Sequence, residues 1–333
     1  MKSKINGTVA VMKFVTVNLI VIIHSGMPYG SGRLLSGSYI FCDFLFMIMG
    51  YYGIFTVVEG EHAKEPSDYV KNRLMKWFPW VVIETMILFL VHVLRSGFKM
   101  SLLVGAVYDI SFLQVFIPGV YIMNGALWFL QGALWGGAIV IAIACIKKIK
   151  EELLLWGAVP VVIYSSFLVR AGHLEDWWDT KVWVVVSDSL PRAVAGISAG
   201  VLAHFFVNKL KRLQWNRVIL RIITWGAFGV SVYLTTIWYR TRVDFLHLVL
   251  FMVILIFNGL DGNYLEGKVI KYVNDITFYV YLGQMIVINV VLYFGGEIKS
   301  IFLLGIVLLL NFTFANVMLL GKKAFKKIVK NGR

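Results

Sequence analysis

Long apolar stretches recur along the whole chain, and their number and length restrict the fold more than any other feature. Ten stretches reach or nearly reach the roughly 17–25 residues that a helix needs to cross a bilayer. The sequence therefore predicts an all-α, polytopic membrane protein with about ten transmembrane helices. The predicted spans are 9–24, 39–58, 78–94, 125–146, 153–169, 193–207, 219–238, 244–260, 276–294 and 300–320.

Composition supports this prediction and excludes several classes of protein. The chain is 59% hydrophobic and 15% charged, whereas soluble domains carry about 25% charged and 45–50% apolar residues. These values exclude an ordinary soluble enzyme and a disordered chain, and two cysteines are too few for a disulfide scaffold. The formal net charge of +14 could suggest nucleic acid. In so apolar a chain, basic residues more often mark the cytosolic side of a membrane protein, so no nucleic-acid partner is predicted.

The basic residues also predict the orientation. With a cytosolic N-terminus, 23 of the 32 Lys and Arg residues fall in cytosolic segments or at cytosolic helix ends. This bias alternates from loop to loop, as an even number of spans with both termini in the cytosol requires. We predict a multi-pass protein of the cell membrane with one transmembrane domain over residues 1–333 and no separate soluble domain. The first stretch is interpreted as a retained helix, since no A-x-A-like cleavage site follows it.

Three ionisable residues in the first two spans are candidates for chemistry, because such side chains are costly in a membrane. Lys13 and His24 are eleven positions apart and share one helix face, roughly 16 Å apart along the axis. Asp43 lies at a similar depth on the second span and would orient the His24 imidazole as a base. Alternatively, Lys13 extends to the headgroups, His24 ends its helix at the interface and Asp43 pairs locally.

A basic pair, Arg73 and Lys76, lies at the cytosolic start of the third span, with Lys71 close by. The pair is three residues apart and shares a face. It could bind an anionic cytosolic ligand such as the phosphates of a nucleotide-bearing cofactor. Ordinary positive-inside charge explains it as well.

Polar and aromatic residues near the outer surface are candidates for substrate binding. Asn124, Trp128 and Gln131 begin the fourth span, and Trp177 and Trp178 lie in an acidic outer loop. Aromatic faces with nearby hydrogen-bonding groups suit a sugar, although tryptophans also anchor proteins at the membrane surface.

The ninth span carries a polar and aromatic stripe that we expect to face the interior of the bundle. It includes Asn274, Tyr281 and Gln284. The sequence has no GxxxxGK[ST] phosphate loop, no HExxH and no CxxC, and its six histidines show no metal-ligand spacing. No metal site is predicted.

Four of these segments, taken in order, resemble the acyltransferase-3 family of integral-membrane O-acyltransferases. The resemblance covers most of the chain and is clearest over residues 10–135. Lys13-x10-His24 is similar to the family's basic-x10-His pattern, and the segment from Cys42 to Tyr51 resembles its D-x-F-F-x-x-S-G-[FY] helix. The other two are Arg73-x-x-Lys76-x-x-Pro79, which resembles R-x-x-R-x-x-P, and Leu127-Trp128-Phe129-Leu130, which resembles the LWFL start of the fourth helix in one branch.

The chain departs from the family pattern at four positions. Lysine stands at Lys13 and Lys76, where arginine is commoner and would bind phosphate with two hydrogen bonds. Met49 replaces the usual serine, and Gln284 stands where the family often has histidine. These departures affect which acyl donor and acceptor are expected more than which type of reaction is expected.

The resemblance implies transfer of an acyl group, most simply acetyl, from cytosolic acyl-CoA to a hydroxyl of a cell-surface polysaccharide or lipid-linked sugar. Lys13, Arg73, Lys76 and Lys71 would bind the donor. His24 would act as general base oriented by Asp43, or carry the acyl group itself. No metal is implied, and the oligomeric state, including a homo-oligomer, stays open.

Two other functions are compatible with the sequence. One is a transporter or flippase for a small polar substrate, with no acyl-transfer chemistry. Transporters often show internal repeats and interrupted helices, and neither is evident here. The other is an accessory subunit of a polysaccharide export complex, which the departures at Met49 and Gln284 favour.

Overall fold

The computed structural model describes residues 6–26, 35–54, 65–116, 123–146, 153–174, 187–262, 264–296 and 300–331, with side chains to residue 324. The secondary structure of these parts is entirely helical. We number the α-helices in chain order. They are α1 (Gly7–His24), α2 (Phe41–Met49), α3 (Pro66–Ser96), α4 (Met100–Ser111), α5 (Trp128–Ala144), α6 (Leu153–Arg170), α7 (Ser189–Leu210), α8 (Arg217–Ile237), α9 (Val243–Asp261), α10 (Lys268–Gly295) and α11 (Ile301–Asn331).

Nine helices in the described part of the chain are long and apolar enough to cross a membrane. They coincide with nine of the ten predicted spans and confirm a polytopic all-α protein. Large apolar side chains on their outer faces remain exposed, as at Leu154 (82%) and Phe294 (82%). Such surfaces are unfavourable in water and suit lipid.

The remaining predicted span, 39–58, corresponds to a composite helix. A 3₁₀ segment, Ser36–Ile40, leads directly into α2, and a π-helical segment, Gly50–Ile54, follows it. Because α2 itself has only nine residues, this region is not among the nine. Short π-helical turns inside helices often occur at functional sites.

Two features of the third span and its outer loop differ from the prediction. Helix α3 begins at Pro66 rather than near residue 78, so Pro79 lies inside the helix and not near its start. The predicted outer loop 95–124 contains the short helix α4, which packs against α3.

Two helix contacts position the polar residues. Helices α1 and α10 pack side by side in parallel, since Lys13 bonds to Asn274 and His24 bonds to Gln284. Helix α2 packs closely on α7, where a Cβ added to Gly50 or Gly200 would collide with the opposing backbone. Small residues permit such close contact between membrane helices. We call the half of the bundle that holds Lys13 the inner half and the half that holds His24 the outer half.

Candidate active site

Three of the predicted ligand-binding cations face one cavity. Lys13, Arg73 and Lys76 come from α1 and α3, and they line a cavity of about 310 Å³ in the inner half. The π-helical segment contributes Tyr52 and Gly53 to the same wall. Additional lining residues from α3, α5 and α10 include Trp77, Phe129, Leu130, Asn274, Phe278 and Tyr281. The cavity therefore combines three positive charges with an aromatic wall.

Neutral groups hold two of these cations in place. Lys13 Nζ donates to Asn274 Oδ1 at 2.7 Å. The guanidinium carbon of Arg73 lies 5.3 Å from the Tyr69 ring centroid and 5.4 Å from that of Trp77. A Cβ on Gly53 would come within 3.2 Å of Arg73 Nη2, so glycine leaves room for the guanidinium. These contacts orient the positive charges without neutralising them.

The fourth predicted cation, Lys71, is exposed on α3 and is not among the residues that line the cavity. Its position two residues before Arg73 turns it to a different helix face, since only residues three or four apart share a face. The structure therefore does not group Lys71 with Lys13, Arg73 and Lys76.

His24 lies at the end of α1, seven residues beyond Val17, and is not among the residues that line this cavity. Its Nδ1 is 2.9 Å from Gln284 Oε1, and Gln284 follows the cavity-lining Tyr281 by three residues on α10. Three residues correspond to roughly 4.5 Å along a helix axis. The prediction that the ninth span turns a polar stripe inward is confirmed, because Gln284 is fully buried and Asn274 and Tyr281 line the cavity.

The predicted hydrogen bond between Asp43 and His24 is wrong. Asp43 Oδ2 accepts from Arg192 at 2.5 and 2.9 Å, and its Oδ1 accepts from the Tyr164 hydroxyl at 2.9 Å. The close contact between α2 and α7 brings the carboxylate to this arginine. Arg192 is only 1% exposed, and a buried guanidinium requires a charged partner. Arg192 directly precedes the predicted span 193–207, so the sequence suggested an outer-loop cation. Nothing in the sequence indicated Tyr164 as a partner of Asp43.

Asn124 has a structural role that differs from the predicted substrate contact. Its side-chain amide donates to Glu84 Oε1 at 2.6 Å, and its Oδ1 accepts from the Ala126 N–H at 2.9 Å, which caps the start of the fourth span. Its backbone N–H donates to Asp109 Oδ2 at 3.0 Å. Asp109 lies on α4, outside the nine spans. Burial raises the pKa of Asp109 to about 8, although the Asn124 N–H opposes the shift.

Of the other predicted substrate contacts, the structure describes Trp128 and Gln131. The Trp128 ring is buried and lies under Arg192, whose guanidinium carbon is 5.3 Å from its centroid. Trp128 is therefore not the interfacial residue that its sequence position suggests. Gln131 is fully buried, and its amide has no hydrogen-bond partner among the described residues. Trp177 and Trp178 lie outside the described residues.

Comparison with known proteins identifies the family. The family model described as "Acyltransferase domain", Acyl_transf_3, matches residues 6–321. No curated protein and no solved structure matches the chain. In the described ranges, no group of three or more His, Cys, Asp or Glu residues is arranged to hold a metal ion. Because the family model spans nearly the whole chain, the protein belongs to the acyltransferase-3 family and is a membrane acyltransferase.

Proposed function

We propose that the protein transfers an acyl group, most simply acetyl, from cytosolic acyl-CoA to a hydroxyl of a cell-surface polysaccharide or a lipid-linked sugar. The observation that carries this proposal is the cavity of about 310 Å³ lined by Lys13, Arg73 and Lys76. Its charge suits the phosphates of a nucleotide-bearing donor. In the orientation that the basic residues predict for the chain, these cations would lie at the cytosolic side of the cell membrane.

The donor would enter the cavity with its thioester end first, and its phosphates would stay at the three cations. Its thioester arm would extend past Tyr281 along α1, over the roughly 16 Å that separate Lys13 from His24 along the helix axis. The aromatic wall formed by Trp77, Phe129 and Phe278 offers apolar contacts to the arm. The acceptor would approach His24 from the outer half. Gln131, Trp177 and Trp178 remain candidates for acceptor contacts.

His24 would remove the proton from the acceptor hydroxyl, whose oxygen attacks the thioester carbonyl. The carbon–sulfur bond then breaks, and the leaving thiolate takes the proton from the imidazolium. General base catalysis of this type contributes typically 10²–10⁴-fold to the rate. Transient transfer of the acyl group to His24 is the second form of the same proposal. Family membership favours either form over the transporter or the accessory subunit.

Replacing His24 tests the proposal. His24→Ala is expected to fold and to bind acetyl-CoA, seen as a raised melting temperature on ligand addition, but to lose acylation by at least 100-fold. Acylation is measured by mass spectrometry of surface glycans from cells that produce each variant. His92→Ala, which removes a half-buried imidazole from α3, is the control and should retain activity. A folded His24→Ala protein that acylates at the parental rate would refute the proposal.

A further inference from the structure

The Gln284 side chain is held in one orientation by its own helix. Gln284 is fully buried on α10, and its Nε2 donates to the Tyr281 carbonyl oxygen at 2.9 Å. A carbonyl oxygen only accepts hydrogen bonds, so the amide nitrogen must face it. With the amide reversed, two oxygen atoms would face each other at hydrogen-bond distance. The Gln284 oxygen therefore points away from Tyr281.

This oxygen determines which ring nitrogen of His24 carries the proton. His24 Nδ1 lies 2.9 Å from Gln284 Oε1. The amide oxygen has no hydrogen to give, so Nδ1–H must be the donor. A neutral imidazole has one donor and one acceptor nitrogen. The lone pair then resides on Nε2, which has no hydrogen-bond partner among the described residues.

We propose that Gln284 is a positioning residue that fixes the tautomer of His24 and so makes Nε2 the basic nitrogen. This inference rests on the proposed function, in which His24 removes a proton from the acceptor. The neutral histidine side chain in water favours the opposite tautomer, with the proton on Nε2, so the hydrogen bond that Nδ1–H donates to Gln284 changes which nitrogen reacts. Tyr281 is itself anchored, because its hydroxyl donates to the Ala126 carbonyl.

A neutral partner suits the proposed proton transfer. A carboxylate opposite Nδ1 would hold the imidazolium once it forms, and it would add a charge to a buried site at a desolvation cost. The Gln284 amide orients the ring without a charge. The proton taken up at Nε2 is then readily passed to the leaving thiolate.

Nitrogen NMR of the full-length protein labelled at histidine tests the tautomer directly. The chain has six histidines, and the spectrum of His24→Ala identifies the signals of His24. We expect the wild-type ring, in its neutral form, to carry its proton on Nδ1. A neutral His24 ring protonated on Nε2 would overturn the inference. This measurement does not depend on activity, so it remains valid even if His24→Ala turns out to be active and the proposed function fails.

The kinetic test replaces Gln284 with methionine, which has a similar shape and no acceptor oxygen opposite Nδ1. Release of CoA from acetyl-CoA is measured in membranes of the producing cells, where the natural acceptor is present. Gln284→Met should lower kcat at least ten-fold and change the KM for acetyl-CoA less than two-fold, with the Nδ1–H signal weakened. Unchanged kcat with an altered tautomer would contradict a positioning role.

Asn289→Leu provides the matched control. Asn289 is a largely buried amide on the same helix, and its side chain donates only to the Met285 carbonyl. Its replacement should leave both kcat and the His24 signals unchanged. If Gln284→Met does not fold, the wild-type spectrum still decides the inference, because a neutral His24 ring protonated on Nε2 would overturn it.

Discussion

In the inner half of the bundle, Lys13, Arg73 and Lys76 face a common cavity, where a neutral amide holds Lys13 and aromatic rings hold Arg73. In the outer half, Asp43 and Arg192 bond to each other and are almost fully buried. Both groups are ionisable residues in a membrane protein, where each is costly. In the proposed function the first group binds a ligand, whereas the second group forms an ion pair within the protein.

His24 lies in the outer half and combines features of the two groups. One ring nitrogen is bonded to the protein through Gln284, as in the outer half. The other has no partner among the described residues, as the proposed function requires of the basic nitrogen. In the proposed function, the bonding of a buried polar group, more than its charge or depth, therefore distinguishes a site residue from a structural one.

The largest effect is expected from breaking the ion pair of the outer half. Arg192→Met leaves the Asp43 carboxylate buried without its cation, which typically costs about 3–5 kcal/mol. The double variant Asp43→Asn/Arg192→Met should recover most of this loss, because both charges are gone. The measurement is thermal unfolding of the purified variants in detergent.

Arg221→Met serves as the comparison for this prediction. Arg221 also pairs with a carboxylate, Asp261, but its side chain is 38% exposed. The Asp261 side chain is only 1% exposed, but water that replaces the half-exposed Arg221 would reach it, so this loss should cost less than that of Arg192. A double variant as unstable as Arg192→Met would contradict the structural role of the pair. A stable Arg192→Met protein that no longer binds acetyl-CoA would mean that Arg192 serves ligand binding, and the two halves would not differ in role.

A moderate effect is expected from removing a cavity cation. Arg73→Ala should raise the KM for acetyl-CoA about ten-fold, equivalent to ~1.4 kcal/mol, with kcat nearly unchanged because Arg73 lies far from His24. Lys71→Ala removes the same charge from an exposed position outside the cavity. It should change KM less than two-fold at physiological salt. Equal effects of the two variants would mean that general positive charge, and not the cavity, attracts the donor.

The sequence was sufficient to predict nine of the spans, whereas a common site for Lys13, Arg73, Lys76 and Lys71 was implied by the family resemblance, and the structure groups three of the four. Apolar length marked the spans, and Lys13, Arg73 and Lys76 were assigned to one side of the membrane by charge alone. Depth follows from position along a helix, so residues at one level are predictable. Helix α4 was not predicted, because its 12 residues are too few to span a membrane.

The partners of these residues could not be predicted, because depth does not say which face a helix turns to its neighbour. Asp43 and His24 were predicted to be at one level, but the contact of Gly200 with α2 directs Asp43 to Arg192 instead. The π-helical segment after α2 also changes the direction in which Tyr52 points. No pattern of apolar residues indicates such a segment. Gln284 was visible in a polar stripe, but its bond to His24 depends on the packing of α1 on α10.

The stability of the outer half is expected to depend on pH. The pKa of Asp109 is raised to about 8 by burial, so the folded protein keeps its proton between pH 4 and 8 while the unfolded chain, with an ordinary pKa of about 3.9, loses it. The folded state binds more protons in this range, and stability therefore falls as pH rises, by at most about 1.4 kcal/mol per pH unit. The melting temperature in detergent should decrease from pH 5 to 8.

Asp109→Asn should flatten this dependence, because the amide cannot titrate, whereas Asp68→Asn removes an exposed carboxyl from α3 and should leave the slope unchanged. A melting temperature that rises from pH 5 to 8 in the wild type, or an unaltered slope in Asp109→Asn, would contradict the assignment. The expected result would mean that the Asn124 cluster is held together by a neutral carboxyl. The outer half would then keep its polar groups by neutralising them, while the inner half keeps its cations charged for a ligand.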